Sequence, residues 1–150
     1  RDIGVTGVQT CALPISAGLA RARQARLLAV TPRLSLPVLR QAALRLDALI
    51  GSALDPDERV EAGALNPEPT LVIGTEGARG GRCSPGGRFA APRRQRPVVD
   101  TYGAGDSFAA GVTAGLAAGW STQQAISLGC HCGAACLDGP GPYAGQLRLR

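Results

Sequence analysis

Four consecutive residues, Gly103-Ala104-Gly105-Asp106, combine two chemical abilities. Glycine lets a backbone come close to a ligand. If a helix starts here, its first N–H groups have no intrahelical acceptor, and the macrodipole favours negative charge. The segment is then an anion site, with Gly103, Ala104 and Gly105 shaping the approach. A carboxylate in the same place repels a bound phosphate, which is a poor choice for binding alone and a reasonable one for a general base. Asp106 would take the proton from an attacking hydroxyl while the N–H groups stabilise charge on a transferred phosphoryl group. The competing reading is that Asp106 caps the helix, which aspartate does well. The residues by themselves leave both readings open.

The elements around this segment follow from apolar patterning. A small-residue helix is predicted over 105–118, and a second over about 122–137 with Ser121 or Thr122 as its N-cap. Val98-Val99 reads as a short strand leading into the motif. Upstream, 27–30 reads as a buried strand ended by Thr31-Pro32. Leu36, Leu39, Ala43 and Leu46 recur at helical spacing, which predicts an amphipathic helix over 35–46. Strands over 47–51 and 70–74 follow, separated by the acidic connection Asp55-Pro56-Asp57-Glu58. Gly77, Gly80, Gly81, Gly86 and Gly87 then predict a glycine turn and a hairpin with Pro85-Gly86-Gly87 at its tip. Strands alternating with helices imply an α/β fold with a parallel sheet.

The run Asp100-Thr101-Tyr102-Gly103-Ala104-Gly105-Asp106, followed by Ser107-Phe108 and Gly111, resembles the C-terminal signature of the PfkB/ribokinase family of carbohydrate kinases. Six specified positions in a row make this a far more specific signal than an isolated Gly-x-Gly. The resemblance covers most of 27–147. It implies a ribokinase-like three-layer α/β/α fold with a mainly parallel sheet, here truncated to its C-terminal half. It also implies transfer of the γ-phosphate of ATP to a sugar or sugar-like hydroxyl, with Asp106 as base and 103–106 as the anion hole. Thr75-Glu76-Gly77-Ala78-Arg79-Gly80 is similar to the family's Thr-x-Gly-x-x-Gly turn, which makes Thr75, Gly77 and Gly80 expected nucleotide contacts. The same residues also make an ordinary tight turn out of a strand.

Asp100 and the carbonyl of Tyr102 match the place where many members hold a monovalent cation such as K+. The family's Asn-x-x-Glu element, which organises Mg2+, has no match: Ser52-Ala53-Leu54-Asp55 stands there, and the asparagine is absent. Glu58 is the preferred magnesium-linked residue and Asp55 the alternative, against a solvated acidic loop. The segment 129–143 resembles the helix and loop that flank adenine in the family. No Gly-x-x-x-x-Gly-Lys-Ser/Thr occurs, so a helix start replaces the P-loop. A homodimer is the assembly expected of a complete protein. A nucleotide-binding module without catalysis is the runner-up reading.

Composition narrows the alternatives. The 150 residues carry a net charge of +5, and all 16 basic residues are arginine, scattered rather than striped. With 3% aromatic residues, neither a stacking platform nor a basic stripe for nucleic acid is expected. No apolar run reaches the length of a membrane span. Five cysteines without an export signal suggest reduced thiols and a cytoplasmic setting. Cys130, His131, Cys132 and Cys136 do not match zinc-knuckle spacing, and small cysteines packing a helix are expected instead. The basic run Arg93-Arg94-Gln95-Arg96 reads as a solvated loop, with contact to ATP phosphate as the alternative.

The chain contains no methionine. Val5 through Ile15 match the in-frame translation of a common short-read sequencing adapter. Residues 1–15 are therefore expected to be adapter-derived, and 16–150 to be the C-terminal part of a kinase domain. Such a fragment is expected to be inactive alone.

Overall fold

A computed structural model describes residues 15–33, 36–61 and 63–148. The expected adapter segment, with Cys11, lies outside the described residues except for Ile15. The elements in order are α1 (Ile15–Ala22), β1 (Ala29–Val30), α2 (Leu36–Ala42), β2 (Ala48–Ser52), β3 (Val72–Thr75), a 3-10 turn (Gly77–Arg79), β4 (Gly81–Ser84), β5 (Gly87–Phe89), α3 (Ala104–Ala117), α4 (Thr122–Cys136) and α5 (Gly141–Ala144). The strands form one sheet in the order β1-β2-β3-β4-β5. β1, β2 and β3 are parallel, and the β4–β5 hairpin adds an antiparallel edge.

Period-two alternation sends the strand side chains to two different cores. Ala48, Ile50 and Ile73 face α3 and α4, where they bury Phe108, Val112, Ala125 and Ile126. Leu49 and Val72 face the opposite way, toward Leu19 of α1, Leu36 and Leu39 of α2, and Leu46, Val60 and Leu65. The result is the expected helix–sheet–helix layering. Among the described residues no helix is long and apolar enough to cross a membrane.

Three expectations are corrected. The predicted helix over 35–46 stops at Ala42, because Ala43 takes a left-handed φ of 47°. Leu46 is buried all the same, from the segment that leads into β2. Val98 and Val99 are not a strand: both side chains are more than half exposed, and the Val99 N–H donates to the Leu137 carbonyl at 2.9 Å. The hairpin tip is Pro85-Gly86 alone, since Gly87 already belongs to β5. α3 and α4 end within a residue of expectation. Ser121 caps α4 in a reciprocal box with Gln124.

The connection 53–71 joins two parallel strands without a helix among its described residues, although such crossovers usually contain one. A groove of about 340 Å³ remains over β2–β4, lined by Gly51, Gly74, Arg82 and Ser84 among others. It lies on the sheet face away from α3.

α3 and α4 approach each other through glycines. A β-carbon on Gly111 would sit 2.8 Å from the Gly129 Cα and 2.9 Å from the Cys132 sulfur, and one on Gly115 would meet the Ala125 Cα at 2.8 Å. Cys132 and the fully buried Cys136 thus pack helices. Alanine at 111 gains about 1 kcal/mol of helix propensity but overpacks a closed contact, which costs about 1–3 kcal/mol. Gly111→Ala is expected to lose about 1 kcal/mol net, read as a lower urea midpoint at unchanged slope.

Candidate functional site at the start of helix α3

Gly103 is the N-cap of α3, with φ 81° and ψ 1°, a left-handed conformation that favours glycine. A β-carbon here would also lie 2.5 Å from the Pro142 Cβ. Ala104, Gly105 and Asp106 form the first helical turn. The Ala104 N–H reaches the Thr101 carbonyl at 3.3 Å, and the Ser107 N–H reaches the Gly103 carbonyl at 2.8 Å. The N–H groups of Gly105 and Asp106, between them, meet no acceptor among the described residues. Nothing lies within 4 Å of where a Gly105 β-carbon would be, and Gly105 and Asp106 are both exposed.

Asp106 stands at the third helical position, not at the cap. No side-chain hydrogen bond caps α3, so the capping explanation for this carboxylate does not apply. The Asp106 residue is exposed. Its neighbour Ser107 is buried and accepts a hydrogen bond from the Gln146 Nε2 at 2.9 Å.

The approach to the helix is held by Asp100. Its Oδ1 accepts from the Tyr102 N–H at 3.0 Å and its Oδ2 from the Gly141 N–H at 2.8 Å. Those hydrogen bonds, Tyr102 first, hold the Asp100 carboxyl below the usual carboxylate range. The Tyr102 carbonyl accepts from the Cys136 thiol at 3.5 Å. Each Asp100 oxygen and the Tyr102 carbonyl thus accept one hydrogen bond and keep a further lone pair.

The second expected element lies at the carboxyl end of β3. Thr75 pairs with Ser52 on one side and Gly81 on the other, and its hydroxyl donates to the Gly51 carbonyl at 3.3 Å. The turn that follows closes with the Glu76 N–H on the Gly80 carbonyl at 2.7 Å. Gly77, at φ 61°, has open space around its α-carbon. Gly80 is different: a β-carbon would fall 2.1 Å from the Phe89 carbonyl oxygen, so hairpin packing alone demands glycine there. Glu76 pairs with Arg88 at 2.9 Å, which holds its carboxyl below its ordinary value. Phe89 stacks on Phe108 with ring centroids 5.9 Å apart, which joins the hairpin behind the Thr75–Gly80 turn to the front of α3.

Glu58 reaches the same end of the sheet. Its Oε2 accepts from the Ser52 N–H at 2.8 Å and its Oε1 meets Arg33 at 2.9 Å. Asp55 also pairs with Arg33, whose hydrogen bond lowers the Asp55 carboxyl below its usual range. One guanidinium thus pairs with both carboxylates expected near magnesium and offsets one of their two charges, and among the described residues no group of three acidic, cysteine or histidine side chains could hold a metal ion. A Mg2+ ion needs only one or two protein carboxylates beside water and phosphate, and both candidates here are engaged by Arg33. Arg33 carried no sequence signal, because its partners Asp55 and Glu58 are distant in the chain.

Thr75 pairs with Gly81 and Gly81 with Phe89, and Phe89 stacks on Phe108, so the Thr75–Gly80 turn and the N-terminal half of α3 are linked near the carboxyl end of β3, the end where ligands of open α/β sheets bind. His131 is not part of it: its Nδ1 lies 2.7 Å from the Ser127 carbonyl on the exposed side of α4.

The Asp100 carboxyl titrates lower in the folded chain than in the unfolded one, so its contribution is present above the usual carboxylate range and lost as pH falls through the lowered value. Asp100→Ala is expected to be less stable than the unmodified chain at pH 7, with the difference vanishing in acid. A difference that is constant with pH in urea titrations would contradict this.

Comparison with known proteins points to one family. The profile of the pfkB family carbohydrate kinases matches residues 39–147. Acarbose 7(IV)-phosphotransferase of Actinoplanes is 37% identical over 82 residues, covering 51% of this chain and 27% of that protein. Fructoselysine 6-kinase of Escherichia coli is 33% identical over 115 residues, covering 71% of this chain and 42% of that protein. Among solved structures, a ribokinase of Cryptococcus neoformans in complex with ADP superposes with a TM-score of 0.66 at 26% identity, covering 89% of this chain and 55% of that one. The chain spans less than half the length of the two curated relatives. With the profile matched over most of its length, and the ribokinase fold around the matched residues, the chain belongs to the pfkB family of carbohydrate kinases.

Proposed function

We propose that this chain carries the nucleotide-binding and proton-accepting part of an enzyme that transfers the γ-phosphoryl group of ATP to a hydroxyl of a sugar or sugar-like alcohol. The observation that carries the proposal is the exposed Asp106 carboxylate beside the unpartnered N–H groups of Gly105 and Asp106. A base and an anion site meet there within one helical turn. Asp106 accepts the proton of the acceptor hydroxyl as its oxygen bonds to the γ-phosphorus. The bond from that phosphorus to the bridging oxygen breaks, and ADP leaves. The two N–H groups and the helix dipole stabilise charge on the transferred group.

The Thr75–Gly80 turn is assigned to the nucleotide phosphates, with Gly77 as the open point of approach. Magnesium enters as part of the MgATP substrate. Glu58 meets it only if it exchanges Arg33 for the ion's water shell. Asp100 and the Tyr102 carbonyl are the oxygens that would hold a monovalent cation beside the anion site. Residues 16–150 are read as the C-terminal part of the kinase domain. Since the curated relatives are more than twice as long as the matched part, the sugar pocket is assigned to chain beyond these residues, and the chain alone is expected to bind ATP without phosphorylating a sugar.

The test uses the gene product extended to the length of these relatives. Asp106→Asn is expected to lower kcat about 100- to 10,000-fold, with ATP affinity by calorimetry changed less than about threefold. Retained turnover would remove Asp106 as the base. ATP binding without any sugar-dependent turnover in the extended protein would favour a non-catalytic nucleotide module.

A further inference from the structure

The basic run before the motif is not uniformly solvated. Arg93 and Arg96 point outward, while Arg94 is turned in, with its side chain 20% exposed. Its Nη1 donates to the Ala134 carbonyl in the last turn of α4. Its Nη2 meets the Asp138 carboxylate at 2.7 Å, the Pro97 carbonyl at 3.3 Å and the Arg96 carbonyl at 3.5 Å. The last turn of α4 contains no basic residue of its own, so Arg94 supplies the cation that the carboxyl end of a helix favours. One guanidinium therefore joins two carbonyls of the incoming linker to the end of α4.

Further links lie along the same seam. The Val99 N–H donates to the Leu137 carbonyl at 2.9 Å, the Gly141 N–H to Asp100 at 2.8 Å, and Pro142 closes against Gly103. Residues 94–103 thus run beside 134–142 as a ladder, with Arg94 at its entry and the α3 start at its exit. Between Pro97 and Asp100 the backbone is exposed and belongs to no strand, so little else fixes its course.

We propose that Arg94 is a positioning residue for the Asp100–Asp106 segment: by clamping the linker to the end of α4 it sets where the first N–H groups of α3 point. This rests on the reading of that helix start as the phosphate site. A lysine would keep the charge pair with Asp138 but could not span the three carbonyls at once, because it lacks the planar fork.

The test is amide hydrogen exchange of the intact chain, read by segment, together with ATP titration by calorimetry, for Arg94→Gln, Arg94→Lys and Arg94→Ala. Arg94→Gln is expected to speed exchange over 99–106 about tenfold or more, leave β2 and β3 unchanged, and weaken ATP binding about tenfold. Arg94→Lys is expected to recover part of both effects. Millimolar guanidinium, but not sodium, is expected to restore ATP affinity to Arg94→Ala. Faster exchange spread evenly over the chain would make Arg94 a general stabiliser and overturn the proposal. So would unchanged exchange over 99–106, or local loosening with unaltered ATP affinity. If the unmodified chain binds no ATP, the phosphate-site reading fails, and the exchange pattern by itself decides whether Arg94 sets the segment.

Discussion

The contact on which the site depends is the one between Gly103 and Pro142. Gly103 must adopt a left-handed conformation to reverse the chain into α3, and it must leave room for the proline ring that closes over it. Any larger residue would violate both conditions together. Given that turn, the Gly105 and Asp106 N–H groups of α3 meet no neighbouring carbonyl among the described residues. The carboxylate three positions on stands free of the cap. The anion site and the base are thus consequences of a single backbone reversal, fixed from outside by the loop after α4.

That loop explains why the helix start is so firmly placed although the linker before it is irregular. Asp100 gives its two oxygens to two different segments, its own turn and Gly141. Cys136 meets the Tyr102 carbonyl from below. The interface of α3 with α4 is built from glycines and small side chains at contact distances that leave little freedom to slide. The β3–β4 edge is tied to the same helix through the stacked Phe89 and Phe108.

Much of this was legible in the sequence where local rules govern. α3 and α4 followed from spacing and a cap, and β1 to β3 from short apolar runs with a turn residue behind them. The motif from Asp100 to Asp106 pointed to its family directly. What escaped was decided by contacts across the chain. Val98 and Val99 have strand-like side chains, yet no neighbouring strand is in place to pair with them, so they remain exposed. α2 ends early because Ala43 turns toward β2, which helical periodicity alone does not reveal. Arg33, just after β1, pairs with both Asp55 and Glu58 beyond β2, and no spacing rule connects residues that distant in sequence. Arg94 looked like one member of a solvated run because charge patterning does not tell which arginine turns inward.

Every ion pair among the described residues joins an arginine to an aspartate or glutamate. A guanidinium keeps its proton at any pH a protein meets, so these fastenings fail only from the acid side, when their carboxylates are protonated. The same choice leaves the chain without a single side-chain primary amine. Acetylation, ubiquitin attachment at lysine and amine-directed cross-linking therefore find no side-chain target anywhere in these 150 residues. Control through a lysine is closed to this part of the molecule, and a side-chain label on it needs a chemistry other than amine coupling, such as a cysteine thiol.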